Sequence, residues 1–104
     1  MRIIVRGRIV LISGSLIWLK KTSLQVLGER IRAARKARGL SQEDLALESE
    51  IDRSYIGGVE RGERNLSFRK LCAIAWVIHS DLGNLCEGLP LANERPTGSD
   101  RRER

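Results

Sequence analysis

The sequence is poor in the groups that catalysis and metal binding use. It has one histidine, His79, two cysteines, Cys72 and Cys86, and four aromatic residues, Trp18, Tyr55, Phe68 and Trp76, among 104 positions. A single histidine, with cysteines that lack zinc-ligand spacing, argues against zinc hydrolases and other His-metal chemistry. Two cysteines are too few for a disulfide framework and fit small apolar roles, which favours a reduced, cytoplasmic setting. No glycine-rich phosphate loop, paired carboxylates or nucleophile–base pair is evident, so an enzyme is the least expected class and no metal or cofactor is expected. The length allows one domain and leaves little room for a large cleft.

Acidic residues are absent from residues 1–22, which carry Arg2, Arg6, Arg8, Lys20 and Lys21. Residues 23–65 balance eight bases with eight acids, and residues 66–104 hold six bases and five acids. The net charge of +6 therefore sits mostly in a flank. A basic isoelectric point is thus a poor argument for nucleic acid here. If DNA is bound, one face of a neutral domain must carry the bases.

The flank, residues 1–22, holds the apolar run Ile9–Ile12, then Ser13-Gly14-Ser15, then Leu16–Leu19. This is shorter than the roughly 18–20 apolar residues that span a bilayer, and it is interrupted. It has the length of a signal-peptide core, but no small-residue cleavage pattern follows. Translated upstream sequence, a weakly ordered arm, or a short strand or helix packing on a partner are the other readings. The first two of these are favoured, and no membrane association is expected.

Helical patterning runs from Ser23 to about residue 90. Leu24, Leu27, Ile31 and Ala34 recur at helical spacing, and Gly39 is a plausible left-handed stop. Ser41-Gln42-Glu43-Asp44 begins a capping-box pattern. Asp52, Ser67 and Asp81 are further N-caps, opening helices at Arg53, Phe68 and Leu82. His79 serves the turn after the Phe68 helix. Arg30, Arg32 and Lys36 read as a solvated face. Residues 91–104, polar and charged with Pro96 and Gly98, read as a disordered tail. The expected division is a flank (1–22), a helical domain (23–90) and a tail (91–104). Four or five helices in about 70 residues make a compact all-α domain. The Phe68 helix is apolar on more than one side. Its outward side, with Trp76, Leu82, Leu85 and Leu89, suggests a second copy of the chain.

Gln42–Arg61 carries the functional signal. Two short helices meet at a tight turn, Ser49-Glu50-Ile51, with Leu45, Ala46, Ile51, Ile56 and Val59 spaced to pack inward. This is a helix-turn-helix pattern. With Arg53 at about 0° on a wheel of roughly 100° per residue, Gly57, Ser54 and Gly58 fall near 40°, 100° and 140°. Tyr55, Val59 and Ile56 fall near about 200°, 240° and 300°. An arginine and a hydroxyl at the N-terminal end of an exposed helix suit major-groove reading. Arginine bonds both acceptors of a guanine edge, and serine bonds bases or phosphates.

The runs Leu27–Arg32, Arg38–Ala46, Asp52–Ile56 and Val59–Gly62 resemble, in order and spacing, the Cro/phage-repressor (XRE) type of helix-turn-helix. Residues 51–65, IDRSYIGGVERGERN, look most like the controller proteins of restriction–modification systems. The resemblance covers about residues 24–85. It implies a five-helix, lambda-repressor-like homodimer that binds a two-fold operator in double-stranded DNA and regulates transcription, with RNA polymerase a further candidate partner. A phage-type repressor, a general XRE regulator, and an antitoxin that neutralises a partner toxin are the alternatives.

The resemblance also implies roles. Gln42 would bond a phosphate or brace the recognition helix. Arg53 and Ser54 would reach bases, and Tyr55 would touch a phosphate or pack at the rim. Arg64 and Asn65 would hold the DNA backbone or the groove edge. Arg61, at the end of the recognition helix, and Gly57, whose bare backbone permits close approach, complete the candidate DNA-binding set. Arg35 and Glu60 would pair to fix the scaffold. Two departures stand out. Glu50 occupies a turn position commonly Gly or Asn in the family, at a cost of about 1–2 kcal/mol if that turn is left-handed. Gly57 and Gly58 each cost about 1 kcal/mol inside a helix.

Overall fold

The computed structural model describes residues 2–5, 8–11 and 21–95. Among the described residues, two strands and five helices follow in order. Strands β1 (Arg2–Val5) and β2 (Arg8–Leu11) pair antiparallel, with Ile3 opposite Val10 and Ile4 opposite Ile9. The first half of the flank thus pairs with itself. Its second apolar run, within residues 12–20, lies outside the described residues.

The helices are α1 (Ser23–Ala37), α2 (Gln42–Ser49), α3 (Arg53–Glu60), α4 (Phe68–Val77) and α5 (Leu82–Cys86). Each starts on a side-chain cap that takes up a free backbone N–H. Thr22 and Gln25 form a reciprocal box on α1, as do Ser41 and Asp44 on α2. Asp52, Ser67 and Asp81 accept from the backbone N–H groups of Ser54, Lys70 and Asn84.

The first four helices end alike. A residue with positive φ follows each, its N–H bonds back three residues, and the next N–H bonds back five, the Schellman pattern. Gly39 and Gly62 hold this position after α1 and α3, but Glu50 (φ 59°) and His79 (φ 55°) hold it after α2 and α4. The expected turn roles of Gly39 and His79 are therefore filled. The left-handed turn that makes Glu50 costly is real.

The core joins all five helices through Leu27 and Ile31, Leu45 and Ala46, Ile56 and Val59, Leu71, Ile74 and Val77, and Leu85, with Ile51 and Ile78 from the turns. Helix α1 packs on α3 and α5, and α2 packs between α3 and α4. At the α1–α3 crossing, a Cβ on Gly28 would lie 2.3 Å from the Val59 carbonyl oxygen. Only glycine admits the approach that fixes the tilt of α3.

Several expectations change. Leu85 is buried in the core, and Leu82 and Leu89 pack partly against it, so they do not extend an outer apolar face. Phe68 and Trp76 remain outside, Trp76 with 77% exposure. Arg30 is half-buried rather than solvated. Its guanidinium donates to the carbonyls of Leu85 (2.9 Å) and Glu87 (2.8 Å), satisfying oxygens left free where α5 ends. Cys72 and Cys86 are half-buried free thiols. Residues 91–95 are held on α1: Leu91 N–H donates to Ser23 Oγ (2.9 Å), and Glu94 Oε1 accepts from Ser23 N–H (2.8 Å). The remainder of the expected tail lies outside the described residues.

Candidate nucleic-acid interface

Helix α3 holds the site because of what lies beneath it. Ile56 and Val59 bury one side of the helix, and Asp52 caps its start. Behind its end is an ion pair with almost no solvent contact. Arg35 Nε reaches Glu60 Oε2 at 2.7 Å, and Arg35 Nη2 reaches Oε1 at 2.9 Å. The third guanidinium nitrogen donates to the Leu40 carbonyl at 2.8 Å. The hydrogen bonds that Arg35 donates to Glu60 raise the Arg35 pKa above its ordinary value. A bidentate pair whose third guanidinium nitrogen is also hydrogen-bonded is the form in which buried charge is tolerable.

From this pair a polar chain runs to the surface. Gln42 Nε2 donates to Glu60 Oε1 at 3.0 Å. Gln42 Oε1 accepts from Arg53 Nη1 at 3.1 Å. The carboxylate can only accept, so it fixes which end of the Gln42 amide faces Arg53. Arg53 is exposed and also lies 3.5 Å from Glu43 on the first turn of α2. The contact with Glu43 is made by Nε and the bond to Gln42 by Nη1, so the five-donor guanidinium can engage another acceptor alongside them.

Ser54, next along α3, is exposed, but its hydroxyl donates to the Asp52 carboxylate, which also accepts Ser54 N–H at 3.1 Å. These bonds, the hydroxyl's foremost, hold the Asp52 carboxyl below its ordinary value. With its proton committed, Ser54 presents lone pairs. In this state it suits a donor such as an adenine or cytosine amino group.

Gly57 and Gly58 are buried, contrary to the bare outer arc that the wheel implies. Neighbouring side chains cover them. A Cβ on Gly57 would meet Arg61 Nη1 at 3.1 Å and Gln42 Oε1 at 3.7 Å, and one on Gly58 would meet Arg64 Cγ at 2.7 Å. The wheel describes one helix and cannot see a neighbour's arginine lying across it. Arg61 is exposed and pairs with Glu63 at 3.1 Å.

Tyr55 is half-buried, and its hydroxyl donates to the Asn65 carbonyl, tying α3 to the following loop. Arg64 lies 5.7 Å from the Tyr55 ring centre, and Lys70 Nζ lies 4.1 Å from it. The expected residues thus form two adjoining groups. Gln42, Arg53, Gly57 and Arg61 meet at one side of α3, and Tyr55, Arg64 and Asn65 at the other, with Ser54 at the N-terminal end. Sequence reasoning missed Lys70, Glu43 and the use Asp52 makes of Ser54. Only the Asp52–Ser54 contact had a local signal, since an N-cap carboxylate lies beside the residue two positions on.

Comparison with known proteins agrees with this architecture. The helix-turn-helix family matches residues 31–80. Control protein C.SmaI of Serratia marcescens is 38% identical over 71 residues, which are 68% of this chain and 84% of that protein. The crystal structure of the restriction-modification controller protein C.AhdI from Aeromonas hydrophila is similar with a TM-score of 0.58 at 47% identity, covering 60% of this chain and 94% of that one. C.Esp1396I, in a structure bound to a 25 base pair operator site, is similar with a TM-score of 0.57 at 33% identity, covering 64% of this chain and 87% of that one. On this likeness to C.SmaI, the five-helix arrangement and the ordered motifs around α2 and α3, the chain belongs to the XRE-type helix-turn-helix family that includes the restriction–modification controllers.

Proposed function

We propose that this protein is a sequence-specific DNA-binding transcriptional regulator, a restriction–modification controller that acts as a homodimer in the cytoplasm by binding rather than by catalysis. The observation that carries the reading is the placement of Arg53. It is an exposed arginine at the N-terminal end of α3, indexed through Gln42 to a buried ion pair. Such a residue has a defined starting position and a free route to a base edge. Helix α3 enters the major groove, Arg53 takes the two acceptors of a guanine, and Ser54 reads a neighbouring amino group. Gln42, Arg61, Arg64 and Asn65 border the groove, and Gly57 lets covering side chains lie low. Residues 23–90 are the DNA-binding unit, with the flank and tail appended.

A dimer explains Trp76 and Phe68, large apolar side chains left exposed on α4. A second copy on that face places two α3 helices on successive major grooves, about 10 bp apart. Operator selection from random duplexes tests the whole reading. The expected product is a two-fold repeat at that spacing, bound by two chains. Failure to enrich any sequence refutes the proposed function, and a stable monomer in sedimentation with and without DNA refutes the dimer.

A further inference from the structure

The guanidinium ends of Arg53 and Arg61 converge over Gly57. A Cβ on that glycine would lie 3.1 Å from Arg61 Nη1 and 4.0 Å from Arg53 Nη1. Two guanidinium groups over bare backbone would make a ready phosphate site. Here each of them already carries a carboxylate. Arg53 Nε lies 3.5 Å from Oε2 of Glu43 on the first turn of α2, and Arg61 Nε lies 3.1 Å from Oε1 of Glu63 in the loop after α3. The two acids come from different elements and face the same nitrogen of their partners. All four side chains are more than half exposed, so the pairs add little to stability. Their effect falls on binding. A guanidinium with a carboxylate at Nε is neutral as a unit, yet its terminal N–H groups still donate. A phosphate loses most of its attraction to such a unit, because the carboxylate repels it. A guanine edge offers neutral acceptors, N7 and O6, and keeps its hydrogen bonds.

We infer that Glu43 and Glu63 are specificity-determining residues, which screen Arg53 and Arg61 from backbone phosphates and leave their donors for neutral acceptors in the groove. The inference rests on the proposed DNA-binding function and deepens its account of Arg53. The two acids add discrimination rather than affinity. Specificity is a difference between two affinities, and a repulsive element set against the wrong complex widens it. On random DNA the arginines have only phosphates to bond, and there the carboxylates count in full.

The test uses the full-length protein, the operator recovered by selection and a random-sequence duplex of equal length, with affinity measured across a salt series. Glu43→Gln is expected to raise random-duplex affinity about three- to fivefold at low salt, the effect of one unit charge removed at contact distance in water. The slope of log affinity against log salt on that duplex should steepen by up to about 0.9, as one more phosphate is neutralised. Operator affinity should rise less, because there Arg53 bonds a neutral edge, so the preference for operator falls. Glu63→Gln should act in the same way through Arg61, and it carries the test alone if Glu43→Gln folds poorly. Glu48→Gln removes an exposed acid of α2 that forms no ion pair among the described residues, and it should leave the preference unchanged. Equal gains on both duplexes for Glu43→Gln and Glu63→Gln, as net charge alone would give, overturn the inference and leave the proposed function standing. So does a lower melting temperature with an unchanged preference, which marks the acids as structural. If selection enriches no operator, the function fails and the inference with it.

Discussion

Glu50→Gly should make the protein more stable without touching any group in the site. Glu50 sits after α2 at φ 59° and ψ 37°, a conformation that costs a residue with a Cβ about 1–2 kcal/mol. The fold needs this geometry. It lets Ile51 N–H reach the Ala46 carbonyl at 3.1 Å and aims Ile51 into the core. Glycine removes the steric cost but gives the unfolded chain more freedom, which offsets about 0.4–1 kcal/mol. At mid-range the net gain is about 0.8 kcal/mol, or about 3–6 °C in melting temperature for a domain of this size. The carboxylate also lies at the negative end of α2, so part of any gain could be electrostatic. Glu50→Ala separates the two causes, because alanine removes the charge and keeps the Cβ. Thermal unfolding followed by circular dichroism should rank Gly above Ala, with Ala close to the unaltered chain. Equal gains for the two variants, or none for Gly, would refute the backbone argument. DNA affinity at a temperature well below unfolding should not change.

Four further outcomes follow from the same geometry. Gly28→Ala places a methyl against the Val59 and Glu60 carbonyls and should cost about 1–3 kcal/mol, measured by urea unfolding. Arg35→Met leaves Glu60 as a buried unpaired charge and should cost about 3–5 kcal/mol, of which Arg35→Met with Glu60→Leu should recover a large part. Arg53→Ala should cost about 1–3 kcal/mol of operator affinity and relax one base preference, and an equal loss on operator and random DNA would remove its base-reading role. The capping carboxylates Asp44, third residue of α2, and Asp52, N-cap of α3, are held below their ordinary values, Asp44 chiefly by the Ser41 backbone N–H and Asp52 chiefly by the Ser54 hydroxyl. A lowered folded-state pKa contributes stability above the unfolded value, near 3.8, and loses it as pH falls through the folded one. Melting temperature should therefore drop below about pH 4, and Asp44→Asn with Asp52→Asn should flatten that limb.

The helices were legible because their signals are local. Ser and Asp caps, the periodic apolar positions and the Gly39 stop each lie within a few residues of what they control. The pairing of Arg35 with Glu60 and the exposure of Arg53 were legible through family resemblance and wheel geometry together. What escaped, outside the family resemblance, was what depends on two elements meeting. Leu85 has the same neighbours in sequence whether it faces the core or a partner, and only the docking of α5 on α1 and α4 decides it. Arg30 reads as a solvated residue because nothing nearby shows that the α5 terminus will arrive with unpaired carbonyls. Lys70 looks like any first-turn lysine until α4 is placed beside Tyr55. Gly57 and Gly58 look like openings in a helix surface until Arg61, Gln42 and Arg64 are laid across them.

The polar chain from Arg35 to Arg53 suggests why a neutral domain can offer a selective basic group. Arg35 and Glu60 cancel each other's charge, so they contribute little long-range attraction. Their effect is directional. Glu60 holds the Gln42 amide in one sense, and the amide holds Arg53 at its acceptor end. Replacing Gln42 with Glu keeps an acceptor for Arg53 but sets a second carboxylate against Glu60, whereas Gln42→Ala leaves Arg53 with Glu43 alone. If indexing by Gln42 matters, Gln42→Ala should lose operator affinity while random-sequence affinity stays near its original value, because Arg53 keeps its charge and loses only its starting position. A parallel loss on both kinds of duplex would instead mean that Gln42 itself bonds the backbone, and the chain would then end at α2 as scaffold.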